Sequence, residues 1–203
     1  MKRILSATII ILAAVTIYGQ TPAPCTLKLA EAPMVRGVKL GMKTEEMLAL
    51  FPGSSDQDDI KSMISKPEGY PHFGVTGFSI NPGMYSTKER FTGIAGYVFS
   101  VVDGRVSQYE VQYLLPPAGP KWTRPEDFVT KIADAFKLPP VANWTTDLNI
   151  RQWKTLKCEG FQLKASTMNF GGSLTVSTSE APATIQQQRQ AAFEEGIRRD
   201  FKP

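Results

Sequence analysis

Any catalytic triad or histidine-bound metal in this chain would have to be built on His72, the only histidine in 203 residues. It stands between Pro71 and Phe73 with no nucleophile pattern beside it, and reads as a surface or strand-edge residue. No G-x-S-x-G, H-E-x-x-H or phosphate-cradling loop is present. Carboxylates remain as acid–base candidates. Glu45 and Glu46 are adjacent, and neighbours on a helix point about 100° apart, so they do not readily share a site. Charge at the positive end of a helix dipole is the better account of both. Asp56, Asp58 and Asp59 cluster and invite a calcium reading, but the spacing and the distal bidentate glutamate of an EF-hand loop are missing. A solvated helix start explains them. Catalytic, cofactor and metal residues are each expected to be none, and the chain reads as non-enzymatic.

Two cysteines complete the reactive groups. Cys25 and Cys158 are too few, with one histidine, for a closed zinc site, and they form no C-x-x-C redox pair. In an exported chain an even pair is most simply a disulfide. It would close a loop of about 130 residues and, in the chain-entropy account, stabilise the fold by about 5 kcal/mol. Asn143-Trp144-Thr145 matches a glycosylation sequon, which matters only in a host that glycosylates exported proteins.

Export is read from the start of the chain. Lys2 and Arg3 precede an apolar run from Ile4 to Ile17, the secretory arrangement of a basic segment and a short apolar core. A membrane-spanning helix needs about 20 apolar residues, so an uncleaved anchor is the weaker alternative. Cleavage is expected near Gly19 or Gln20, and Pro22-Ala23-Pro24 before Cys25 does not resemble a lipid-attachment motif. Of 23 basic residues, losing Lys2 and Arg3 leaves 21 against 19 acidic ones. That near-balance, with the positive residues scattered, argues against nucleic acid as a partner. With 42% apolar and 10% aromatic residues the chain can fill a core. The expected location is periplasmic or secreted, with no stable membrane insertion once the signal is removed.

These residues need elements to hold them. Thr26 to Leu29 alternates and suggests an edge strand. Val35, Val38 and Leu40 lead through Gly41 into a helix with Thr44 as its cap and Met47, Leu48 and Phe51 as its apolar stripe, stopped by Pro52-Gly53. A second short helix is predicted over Asp58 to Ser65. Phe73 to Ile80 reads as a strand, and Met84 to Arg90 as a polar loop. Tyr97 to Val102 and Arg105 to Tyr113 flank Asp103-Gly104, a pair suited to a type I′ hairpin. Val106 and then Tyr109, Val111 and Tyr113 fall out of phase, which predicts a bulge near Ser107-Gln108.

Pro116 to Pro120 reads as a linker between two units. Beyond it, Pro125 opens a helix whose core stripe is Phe128, Val129, Ile132 and Phe136, stopped by Pro139-Pro140. A meander follows from Ile150 to Cys158, Phe161 to Met168 and Ser173 to Ser177. Ile185, Ala192, Phe193, Ile197 and Phe201 form a thin seam on a terminal helix, read as docked lightly on the body. The predicted class is α+β: two tandem helix plus antiparallel β-meander units packed as one domain, with a C-terminal helix. The divisions are 1–20 signal peptide, 21–115 first unit, 121–179 second unit and 180–203 tail.

Gly41-Met42-Lys43-Thr44-Glu45-Glu46, followed by Met47 and Leu48, resembles the helix start of SmpA/OmlA-type outer-membrane assembly proteins. It is similar also to the repeat opening of the β-lactamase-inhibitor proteins. The resemblance implies a helix–loop–helix packed on an antiparallel sheet, a unit that the inhibitors carry in tandem. It covers fewer than about 20 residues, and the second helix lacks the glycine-methionine phrase. The resulting expectation is an exported module that binds an unknown protein partner or serves envelope assembly. The alternative is an inhibitor of a secreted hydrolase, with Asn81 to Arg90 as its insertion loop. Tyr109, Tyr113, Trp122, Trp144 and Trp153 are the candidate contact aromatics, and core or cross-strand packing is the better account of most of them.

Overall fold

Asp103 and Gly104 take φ of 49° and 71°, the left-handed pair that a type I′ turn requires. The turn joins β2 (Ile94–Val102) to β3 (Arg105–Tyr113). Val101 pairs with Val106 but Ser100 pairs with Gln108, so Ser107 is the extra residue of a bulge. The bulge restores phase: Phe99 meets Tyr109, Tyr97 meets Val111, and all four are buried on one face. A second irregularity at Ala95, absent from the sequence reading, does the same for Ile94, which pairs with Tyr113.

The protein is described here by a computed structural model covering residues 23–65, 75–146, 153–167 and 171–200. The expected signal segment, His72, Phe73, Ile150, Met168 and Phe201 lie outside these residues. The hairpin belongs to a seven-stranded sheet whose remaining strands are β1 (Val75–Ile80), β4 (Thr145–Thr146), β5 (Trp153–Lys157), β6 (Phe161–Ser166) and β7 (Ser173–Thr178). Their order across the sheet is β1-β2-β3-β7-β6-β5-β4. Every strand pair is antiparallel. The two meanders meet last strand to last strand, β3 against β7, so both halves share one sheet.

Helices α1 (Thr44–Leu48), α2 (Asp58–Ser65) and α3 (Pro125–Phe136) contribute to one core on the inner face, and the predicted bounds of α2 hold. Phe51 is its hub, with its ring centroid 4.7 Å from that of Phe91 and 5.9 Å from that of Tyr85. Those contacts anchor the segment after β1, which reads as a polar loop in sequence but folds as two 3-10 turns. Thr44 is not the cap of α1. It is the first helical residue, buried, with its amide and its hydroxyl both donating to the Gly104 carbonyl, while extended Lys43 precedes the helix. Gly41 N–H and Val106 N–H extend the same junction, donating to the Val106 and Met42 carbonyls. The glycine-methionine phrase therefore ties the helix to the hairpin turn.

Helix α4 (Ala181–Asp200) covers the outer face. Ala181 and Ile185 pack with Val102, and Ala192 is also buried. Phe193 and Ile197 point away, 63% and 54% exposed, so the predicted seam divides between two faces of the helix. Cys25 and Cys158 form the expected disulfide, with α-carbons 4.7 Å apart. The first edge strand does not form. Lys28 makes a single parallel bridge to Glu159, the Glu159 amide donates to the Leu27 carbonyl, and Leu29–Glu31 turns at once into a 3-10 helix. Among the described residues no helix is long and apolar enough to cross a membrane.

Candidate functional site

Val35 and Val38 exchange two backbone hydrogen bonds, at 2.9 and 3.0 Å, across Arg36-Gly37. Both central residues have positive φ, 55° and 98°. Glycine takes this conformation freely, whereas for arginine it is uncommon. The Arg90 guanidinium, the end of a flexible side chain, fills the space where a Gly37 side chain would lie, and the φ of 98° is what favours glycine there. Two buried tyrosines of the sheet hold the turn in place. The Tyr109 hydroxyl donates to the Pro33 carbonyl at 2.6 Å, and the Tyr97 hydroxyl to the Val35 carbonyl at 3.3 Å. Burial pushes the pKa of both phenols far up, so they remain donors.

The pinned turn forms one wall of a cavity of about 550 Å³ whose opposite wall is α3. Tyr113, Trp122, Phe128, Ile132 and Phe136 supply most of its apolar lining, and Met34 stands at its edge, 58% exposed. The Phe128 ring lies 5.7 Å from Tyr113 and 5.4 Å from Trp122, centroid to centroid. Gly172 lies against the Phe128 ring: a β-carbon there would meet Phe128 Cε2 at 2.5 Å. The pairing of β3 with β7 brings Gly172 there, and its carbonyl accepts from the Tyr113 amide. An aromatic pocket of this size is typical of small-molecule sites.

Charge in the cavity has one sign. Arg36 and Lys131 line it, and among the described residues no aspartate or glutamate does. Asp127, one turn before Lys131, is held by Arg124 through two hydrogen bonds of 2.6 and 3.2 Å, which lowers its pKa. Glu126 is drawn the other way, to Lys154 at 2.7 Å. Among the described residues neither Arg36 nor Lys131 has an ion-pair partner. The Tyr113 hydroxyl likewise has no hydrogen-bond partner among them, and burial pushes its pKa up to about 12, with Arg36 opposing. The site thus offers apolar walls, two cations and one neutral donor.

The sequence candidates scatter. Glu46 accepts from the Lys43 amide at 3.3 Å, as a helix-start carboxylate does, and Asp59 accepts from the Ile60 amide at 2.8 Å. Asn143 donates to the Ala23 carbonyl at 2.7 Å. Tyr109 and Trp144 are core residues, and Trp153 lies under the Lys164 ammonium, 3.1 Å from its centroid. Only Tyr113 and Trp122 meet at the cavity. Sequence reasoning missed Arg36 and Lys131. The signal for the first was Arg36-Gly37 between Val35 and Val38, a short hairpin pattern; Lys131 carries none.

Compared with protein-family models, curated proteins and solved structures, the chain matches none.

Proposed function

We propose that this chain is an exported, non-enzymatic binding module that seats the apolar part of a small ligand in the cavity between α3 and the 35–38 turn. One observation carries the reading: an aromatic cavity of about 550 Å³ with one wall fixed by the Tyr97 and Tyr109 hydroxyls. A prearranged wall lowers the ordering cost of binding. Its volume lies in the range of about 300–1,000 Å³ usual for small-molecule pockets. A protein partner would instead need a patch of about 800 Å² on each side. The Cys25–Cys158 bond supports export, since disulfides persist in oxidising compartments. The phrase from Gly41 to Leu48, similar to envelope-assembly proteins, supports a place in the cell envelope.

Calorimetric titration with a neutral apolar probe such as decanol tests the reading. Saturable binding is expected, with the probe recovered chemically unchanged. Ala135→Phe, which fills the cavity from α3, should abolish it while leaving the circular dichroism of the fold intact. A folded protein that binds no apolar probe would overturn the reading.

A further inference from the structure

Resting on that reading of the cavity, we propose that its ligand is an amphiphilic carboxylate. Its apolar chain lies against Trp122, Phe128 and Phe136, and its head is held at the mouth by Arg36 and Lys131. Among the described residues the lining contains two cations and no carboxylate, so a cationic ligand meets two like charges while an anionic one supplies a partner for them. Arg36 is presented by a hairpin turn in a conformation rare for arginine, on a segment fastened through the Pro33 and Val35 carbonyls. Its guanidinium fork matches a planar carboxylate in a way that a lysine ammonium does not. Lys131 is left available because Asp127, its neighbour one turn back, is taken by Arg124. The Tyr113 hydroxyl adds a neutral donor beside them.

Three probes with one apolar body separate the head from the cavity: decanoate, decanol and decyltrimethylammonium, each titrated calorimetrically below its micelle-forming concentration. Decanoate should bind about tenfold tighter than decanol, as expected for one well-placed charge-assisted contact, and the ammonium compound weakest. Arg36→Asn keeps a residue tolerant of positive φ, and Lys131→Met keeps the stem. Each should weaken decanoate about three- to tenfold and leave decanol within about twofold. Circular dichroism checks both variants, and Lys131→Met, on the exposed side of α3, carries the test if Arg36→Asn does not fold. Decanol or the ammonium compound binding as tightly as decanoate, or decanoate indifferent to Lys131→Met, overturns the assignment of the head. Binding to anionic vesicles without binding of monomeric decanoate overturns it too. Failure of all three probes instead overturns the cavity as a site.

Discussion

Phe99 and Ile132 are both buried, yet their truncation should cost different amounts. Phe99 is fully enclosed, with ring centroids of Phe78 and Tyr97 each 5.6 Å away, so Phe99→Ala leaves a hole that close-packed neighbours cannot fill. A loss of about 3–5 kcal/mol in urea melts is expected. Ile132 already borders the cavity, so Ile132→Ala enlarges an existing space and should cost nearer 2 kcal/mol, the low end for such a change. Equal losses would mean that the cavity wall is packed as tightly as the sheet core. Gly172 acts at the same scale. A methyl group there would strike the Phe128 ring and push it away from β7, on the side where Trp122 and the cavity lie. Gly172→Ala should therefore destabilise by about 1–3 kcal/mol, the usual cost of overpacking, and weaken decanol binding in the same titration.

Helix α4 shows what an element gains from incomplete burial. It rests on the polar outer face of the sheet, where Ser100 and Ser177 are buried, and among its described residues contributes only Ala181, Ile185 and Ala192 as buried apolar groups. Gln188 lies on this side with Oε1 buried and without a hydrogen-bond partner among the described residues. An unsatisfied buried carbonyl costs about 1–3 kcal/mol, whereas an apolar side chain of similar shape costs nothing of that kind. Gln188→Met should raise the denaturation midpoint, by about 1 kcal/mol in stability. A lowered midpoint would show that Gln188 is satisfied in solution.

Local patterns were legible in sequence where the chain explains itself over a few residues. Asp103-Gly104 announces its turn, the phase break from Val106 to Tyr109 announces the bulge at Ser107, and the bounds of α2 follow from its apolar spacing. The cavity was not legible, because it is made by long-range contacts. Nothing near Tyr97 or Tyr109 says that their hydroxyls reach the carbonyls of Val35 and Pro33, 62 and 76 residues away. Nor does Phe128 reveal that β7 will set Gly172 under its ring. The edge strand predicted from Thr26 failed for a related reason: alternation supplied the side chains, but only one backbone bridge to Glu159 was available.

At the scale of the molecule, the disulfide ties the start of the described chain to the far meander, 133 residues apart. Loop-closure entropy gives about 5 kcal/mol for a link of this span, before any strain. The Cys25→Ser/Cys158→Ser double variant should therefore lose several kcal/mol in urea melts while keeping the sheet's circular dichroism. Native protein should show no thiol reactive toward labelling until reduced.

The same sheet makes the protein sensitive to alkali in a predictable direction. Tyr97, Tyr109 and Tyr113 lie together on the inner face, and burial is the first cause of the raised pKa in each. A raised tyrosine pKa means that the folded state favours the neutral phenol. The stability this gives is complete below the ordinary value of 10.0 and is lost as pH climbs from there through the folded value. For Tyr113, pushed up to about 12, the loss over that window is roughly 2–3 kcal/mol, and the two deeper phenols add to it. Urea midpoints should thus hold steady from neutral pH to about 10 and then fall steeply. Tyr113→Phe separates this effect from other titrations, since its hydroxyl has no hydrogen-bond partner among the described residues and its removal should barely alter stability at pH 7. Above pH 10 the variant should be the more stable of the two proteins, because it has no phenol there to ionise on unfolding. Parallel curves for the two proteins up to pH 12 would show that Tyr113 ionises as freely in the fold as in water, and hence that the cavity is wet where Tyr113 lines it.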